Sequence, residues 1–248
     1  MYKFFVNKNQ IKNNKITINN DDVNHIKNVL RLSKGEKIEI SNSDNGESYI
    51  CEILDFNNNT VNCKIIEKNE NVSESNIYLH VLQGLPKSDK MELIIQKCTE
   101  LGVKEYTPVS LNRCIVKLNG KDEQKKVERW QKISEVAAKQ SKRNVIPKVN
   151  NILKLDEVVK LIQEYDIMLV AFEEEKNNSI KQELVKLDKN QNLKIGILIG
   201  PEGGIEREEI EILKQAGAKI VTLGNRILRT ETAPIVMASI IMYQLDQM

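Results

Sequence analysis

The first seventy positions alternate apolar and polar side chains in short bursts, whereas the rest of the 248-residue chain shows continuous apolar runs separated by helical stripes. Alternation of period two marks half-buried strands, and apolar spacing of three and four marks a helix face. On that basis Tyr2 to Val6 and Lys15 to Ile18 predict strands. Val23, Ile26 and Leu30 predict a helix over 21–31, capped by Asn20 or Asp21, with Gly35 closing the unit. Ile38 to Ser41 and Ser48 to Leu54 predict a hairpin about Asp44-Asn45-Gly46, with Tyr49, Cys51 and Ile53 on one face. Val61, Cys63 and Ile65 continue the alternation, so a β-rich module is expected over 1–70.

Residues 68–76 are almost entirely polar and predict the linker to a second domain over 75–248. There Ile77 to Leu82, Glu105 to Val109, Ile167 to Phe172, Leu193 to Ile199 and Lys219 to Leu223 predict strands. Met91, Ile94, Ile95, Cys98 and Leu101 trace a helix ended by Gly102, and Val127, Trp130, Ile133 and Ala137 trace a long basic one. A polar helical stretch lies around 180–187, Glu206 to Ala216 predict a helix closed by Gly217, and Thr232 to Asp246 the last helix. Strand and helix in alternation predict an α/β domain with a mainly parallel sheet.

With 40% hydrophobic and 29% charged residues, the chain is neither disordered nor collagenous, and its length sustains a proper core. The four cysteines show no C-x-x-C spacing and the two histidines, His25 and His80, stand far apart, so no metal site is expected. No basic stretch followed by an apolar one opens the chain, and no apolar run approaches the roughly 18 residues of a membrane span. With its thiols unpaired, the chain is expected in the cytoplasm. The net charge of +2 conceals an uneven distribution. Basic against acidic residues number 8 to 3 over 1–37, 11 to 4 over 112–150 and 6 to 9 over 154–192. Such segregation lets a nearly neutral molecule meet a polyanion locally, although lysines that merely solvate helix faces give the same count.

Ligands of open α/β sheets bind beyond the carboxyl ends of strands, which draws attention to two turns. The first, Leu198-Ile199-Gly200-Pro201-Glu202-Gly203-Gly204, offers close backbone approach and a stiffening proline. It lacks the G-K-[S/T] of a P-loop and the G-x-G-x-x-G of a dinucleotide fold, which disfavours a nucleoside triphosphatase. The second, Leu223-Gly224-Asn225-Arg226-Ile227-Leu228-Arg229-Thr230-Glu231-Thr232-Ala233-Pro234, sets two arginines and a glutamate among apolar residues, which predicts partial burial with charge partners.

Together these two loops resemble the paired signatures of the RsmE family, methyltransferases of the SPOUT superfamily that act on N3 of a uridine in 16S ribosomal RNA. The likeness extends to His25–Leu32, Lys90–Gly102, Arg129–Ser141 and Arg143–Pro147, close to the full length. It implies a PUA-like β-barrel for RNA over 1–70 and a SPOUT methyltransferase domain over 75–248 tied in a trefoil knot. It further implies S-adenosylmethionine in a pocket made by Leu198, Gly200, Gly203, Leu223, Gly224, Ile227 and Leu228, and a homodimer whose interface lies beside that pocket, which the apolar last helix would suit.

For methyl transfer to a uridine nitrogen, a cation near the flanking carbonyl oxygens would stabilise the charge released with the N3 proton. Arg229 is expected in this role, with Arg226 as its substitute or a phosphate contact, Glu231 as the group that orients Arg229, and Glu202 as the least supported proton acceptor. RNA contacts are expected from Lys3, Lys8, Lys12, Arg31 and Lys34 in the first domain and from Arg113, Lys117, Lys142 and Arg143 in the second. His80 and Trp130 are expected in the core. Two other readings stay open on sequence: a non-catalytic RNA-binding or ribosome-assembly protein on the same fold, and methylation of another RNA. Naked 16S RNA and the assembled small subunit are equally compatible as partners.

Overall fold

The computed structural model describes residues 1–19, 21–70, 74–189 and 191–247. Asn20, one of the two predicted caps, and 71–73 of the predicted linker lie outside them. The chain divides into two compact units: Met1–Glu74 together with Ala138–Ile146, and Ser75–Ala137 together with Pro147–Met248.

The first unit is a curled, open sheet of six strands: β1 (Lys3–Val6), β2 (Ile11–Lys12), β3 (Lys15–Ile18), β4 (Lys37–Asn42), β5 (Ser48–Phe56) and β6 (Val61–Asn69), in spatial order β1-β4-β5-β6-β3-β2. Ile16, Ile18, Ile38, Ile40, Cys51, Ile53, Val61 and Cys63 are wholly shielded and point to one side, as their alternation requires. Helix α1 (Asp22–Asn24) passes directly into a π turn, His25–Val29, where an α-helix was expected. Val23 and Ile26 still bury against the sheet.

Ala138–Ile146, expected in the second domain, packs in the first unit through charge. Lys3 Nζ, almost fully buried, donates to Glu39 Oε1 at 2.9 Å, to the Lys142 carbonyl at 3.1 Å and to Asn144 Oδ1 at 2.5 Å. Burial pushes the Glu39 carboxyl up, and hydrogen bonds from Lys3 and Ser48 outweigh it and hold the group below its ordinary value. Arg143, 3% exposed, grips both oxygens of Glu74 at 3.1 and 2.6 Å. Lys3 and Arg143 are therefore structural cations without an exposed charge, and the expectation that they contact RNA is corrected.

In the second unit every strand pairing is parallel among the described residues. Strands β7 (Tyr78–Gly84), β8 (Glu105–Ser110), β10 (Leu153–Lys154), β11 (Ile167–Ala171), β12 (Lys194–Ile199) and β13 (Lys219–Val221) lie in the order β10-β8-β7-β12-β11-β13, and β9 (Lys148–Val149) also pairs with β8. Helices α2 (Lys90–Glu100), α3 (Gly120–Gln140), α4 (Leu155–Leu161), α5 (Ile180–Leu184), α6 (Arg207–Gln215) and α7 (Thr232–Gln244) connect or follow them. Leu79, Val81, Leu82, Ile195, Ile197, Leu198, Leu169 and Val170 form the centre of one apolar cluster, to which Trp130 belongs. Each such side chain contributes about 1.5–3 kcal/mol by leaving water.

Strand β12 inserts between β7 and β11, so the turns after β7, β11, β12 and β13 leave the same end of the sheet. At the opposite end sits a closed polar network. His80, 2% exposed, places Nδ1 2.6 Å from Tyr165 Oη and Nε2 2.8 Å from Thr107 Oγ1. Glu105 accepts from Tyr78 Oη at 2.9 Å and Asn150 Nδ2 at 2.7 Å. Burial lowers His80 to about 4 against the upward pull of Glu105, so its imidazole is neutral at pH 7.

Candidate active site

At the carboxyl ends of β7, β12 and β13 the two glycine-containing loops meet around a cavity of about 540 Å³. The first loop is locked in place. A Cβ on Gly84 would meet Pro201 Cδ at 2.6 Å, and one on Gly200 would meet the Gly204 carbonyl carbon at 2.9 Å, so both positions exclude a side chain. The Gly200 carbonyl accepts from Thr230 Oγ1 at 2.7 Å and Gln83 Nε2 at 3.3 Å, and Gln83 Nε2 also donates to Thr230 Oγ1 at 2.9 Å. Gln83 and Thr230 are buried, so strand β7 and the second loop both hold the first loop from beneath. Arg113 Nη1 donates to the Gly203 carbonyl at 3.0 Å, which commits to the loop a guanidinium expected on RNA.

The second loop is open. Asn225, Arg226, Ile227 and Arg229 are exposed, Ile227 to 86%, against the expected partial burial. Too few neighbouring elements stand over this stretch to cover it. Among the described residues the backbone groups of 225–228 have no hydrogen-bond partner in the chain. Leu223 and Leu228 pack inward against the core cluster.

Gly200, Gly203, Leu223, Gly224, Ile227 and Leu228 line the cavity together with Arg226 and Arg229. Leu198 does not: it is wholly buried in β12, and its neighbour Ile199 reaches the wall instead. Side chains alternate along a strand, so Ile199, although also buried, faces the opposite side from Leu198.

Charge at the rim is organised by Lys90, the first residue of α2. Its Nζ lies 2.9 Å from Glu202 Oε1 and 3.2 Å from Glu231 Oε2. The hydrogen bond to Glu202 raises the Lys90 ammonium above its ordinary value. Burial pushes Glu202 up, but hydrogen bonds from Lys90 and from its own and the Lys87 backbone N–H hold its carboxyl below the usual range, which suits a structural anion better than a proton acceptor. Glu231 Oε1 stands 3.9 Å from Arg229 Nη1, beyond hydrogen-bond reach. Gln83, Lys90 and Thr230 were not anticipated as site residues. A glutamine at the carboxyl end of a strand, among buried apolar residues, was the available signal.

Of the other basic residues expected on RNA, Lys8, Lys12, Arg31 and Lys34 are exposed in the first unit, as are Lys117 and Lys142 along the chain.

A family model described as an RNA methyltransferase domain matches residues 73–242, and one described as an RNA methyltransferase PUA domain matches 18–66. The ribosomal RNA small subunit methyltransferase E of Bacillus subtilis is 38% identical over 93% of this chain and 90% of its own length. The chain belongs to the ribosomal RNA small subunit methyltransferase E family. The member from Mesomycoplasma hyopneumoniae is 34% identical over 95% of this chain and 96% of that protein. A crystal structure of the Neisseria gonorrhoeae member bound to S-adenosyl methionine superposes with a TM-score of 0.85 at 28% identity, covering 98% of this chain and 97% of that one. The PUA and α/β architecture expected from the sequence is thus that of the family.

Proposed function

We propose that this protein methylates N3 of a specific uridine in 16S ribosomal RNA with S-adenosylmethionine as donor, acting in the cytoplasm as a homodimer on the RNA or the assembled small subunit. Family membership and the cavity between the two loops support the reading, and the cavity's chemistry carries it. Ala171, Ile199, Leu223, Leu228 and Ala233 supply apolar wall for an adenosine, and the unpartnered backbone of 225–228 supplies donors and acceptors. The volume falls in the range of small-molecule sites. The donor carries no phosphate, so a cavity without a P-loop lysine fits it. When bound, S-adenosylmethionine supplies the methyl group on a sulfonium.

The chain's own work is alignment and charge stabilisation. Gly200, Gly203 and Gly224 let backbone approach the donor closely. Arg229, exposed at the rim, is positioned to meet a uridine turned out of its stack and to stabilise negative charge on the oxygens beside N3 as the proton leaves. Arg226 stands beside it as a phosphate contact. Lys8, Lys12, Arg31, Lys34, Lys117 and Lys142 are exposed and suited to positioning RNA phosphates. The hydrogen bonds of Gln83 and Thr230 to the Gly200 carbonyl hold the two loops against each other, which is compatible with the trefoil knot that the family resemblance implies. Ile235, Val236 and Ile240 are half-exposed on α7 and Tyr243 is 76% exposed, a face suited to a second copy.

The test is methyl transfer to small-subunit RNA from a strain lacking this enzyme, mapped by primer extension. One blocked uridine is expected. Arg229→Ala should keep donor affinity within a few-fold by calorimetry while slowing transfer by about 100-fold or more. Equal loss of both would remove Arg229 from the chemistry, and methylation of a transfer RNA instead would overturn the substrate.

A further inference from the structure

The rim of the cavity holds a charge arrangement that the reaction as derived above does not use. Lys90 lies between two carboxylates, one from each loop: Glu202 at 2.9 Å and Glu231 at 3.2 Å. The other oxygen of Glu231 faces Arg229 at 3.9 Å. The Glu231 side chain is only 14% exposed, whereas that of Arg229 is 83% exposed. A sheltered carboxylate attracts whichever cation can reach it, and two can.

We propose that Lys90 is a positioning residue that holds Glu231 away from Arg229 and so keeps the guanidinium available to the target base. The inference rests on Arg229 being the charge-stabilising residue of the proposed reaction. Three features support it. Lys90 opens α2, an element independent of both loops, so its ammonium is anchored from outside the pair it joins. Glu202 is already held by the Lys87 N–H at 3.0 Å, which leaves Glu231 as the carboxylate whose orientation depends on Lys90. The separation of 3.9 Å between Glu231 and Arg229 is too long for a hydrogen bond yet short enough to close by a rotamer change of a long side chain. Without Lys90, Glu231 would be a sheltered carboxylate with Arg229 as its nearest cation, and forming that pair would occupy the donors meant for the uridine oxygens.

This differs from a merely structural brace between loops. A brace predicts that removing either end is harmful and removing both is no better. A guard predicts that removing the competitor repairs the loss of the guard. The experiment uses the full-length protein with S-adenosylmethionine and small-subunit RNA from a strain lacking the enzyme, under single-turnover conditions. Lys90→Met should slow transfer roughly 10- to 50-fold, with donor affinity by calorimetry kept within about twofold. Lys90→Arg, which retains the charge, should recover most of the rate. Lys90→Met combined with Glu231→Gln should be faster than Lys90→Met alone by about fivefold or more, because a neutral amide no longer captures Arg229. In the RNA-free protein the Nε–Hε resonance of Arg229 should shift on Lys90→Met and return in the double variant.

A double variant as slow as Lys90→Met, or a Lys90→Met protein with normal transfer, would overturn the inference while Arg229→Ala remained slow. Normal transfer by Arg229→Ala would instead overturn the catalytic assignment, and this inference with it.

Discussion

The two ends of the parallel sheet in the second unit are built on opposite terms. At the amino end His80, Tyr165, Thr107, Glu105, Asn150 and Tyr78 satisfy one another, and the one histidine among them is buried and neutral. At the carboxyl end the second loop leaves the backbone of 225–228 without partners in the chain, and Arg229 extends into solvent. The first end is closed on itself; the second is left open. Polar groups that have found each other have nothing left to offer a ligand, so binding falls where the sheet is left unfinished.

The contrast can be tested from either end. The largest effect is expected from Gly200→Val, whose side chain has no room against Gly204 and Ile205. Donor affinity measured by calorimetry should fall on the order of 100-fold, about 3 kcal/mol, and unchanged affinity would misplace the cavity. Glu105→Ala at the amino end should do the reverse: it strands the donors of Tyr78 and Asn150 and costs about 2 kcal/mol in urea unfolding, with donor affinity of the folded protein kept within twofold.

Acidity should act on the amino end too. The unfolded chain takes up a proton on His80 near its ordinary 6.5, whereas the folded chain resists until about 4. Stability is therefore full above pH 6.5 and declines as the pH falls toward 4, by roughly 2 kcal/mol at pH 5. His80→Gln should flatten that slope, and an unchanged slope would assign it to the carboxylates. The smallest effect is expected from Thr230→Val, which removes one of the two donors on the Gly200 carbonyl. A loss of about 1 kcal/mol in stability and a few-fold in donor affinity would show that the floor of the site is held jointly with Gln83.

Much of this contrast was legible in the order of residues. The strands of the first unit follow from alternation at Tyr49, Cys51 and Ile53, and the parallel sheet from the apolar runs at 167–172 and 193–199. Strands β9 and β10 escaped notice because two residues have no period, and α4 because Leu155, Val158 and Val159 interrupt a stretch too short for a stripe. The π turn at 25–29 shares its apolar spacing with an α-helix and differs only in which carbonyl is met. In the site, the loop glycines were conspicuous through the motif they form, and the family resemblance assigned them. Lys90 was not, since a lysine opening a helix is indistinguishable in sequence from one that solvates it. Lys3 and Arg143 misled for the same reason: charge is visible in a sequence, and burial of charge by a segment some seventy or more residues away is not.

That last pairing bears on how the molecule can be divided. Residues 138–146 belong to the first unit although the chain has already built part of the second before reaching them. A gene fragment that stops after codon 74 would encode a sheet whose Lys3 lacks Asn144 and whose Glu74 lacks Arg143. The amino-terminal segment is therefore not a detachable cassette. Its completion waits on synthesis of more than sixty further residues, which belong to the second unit.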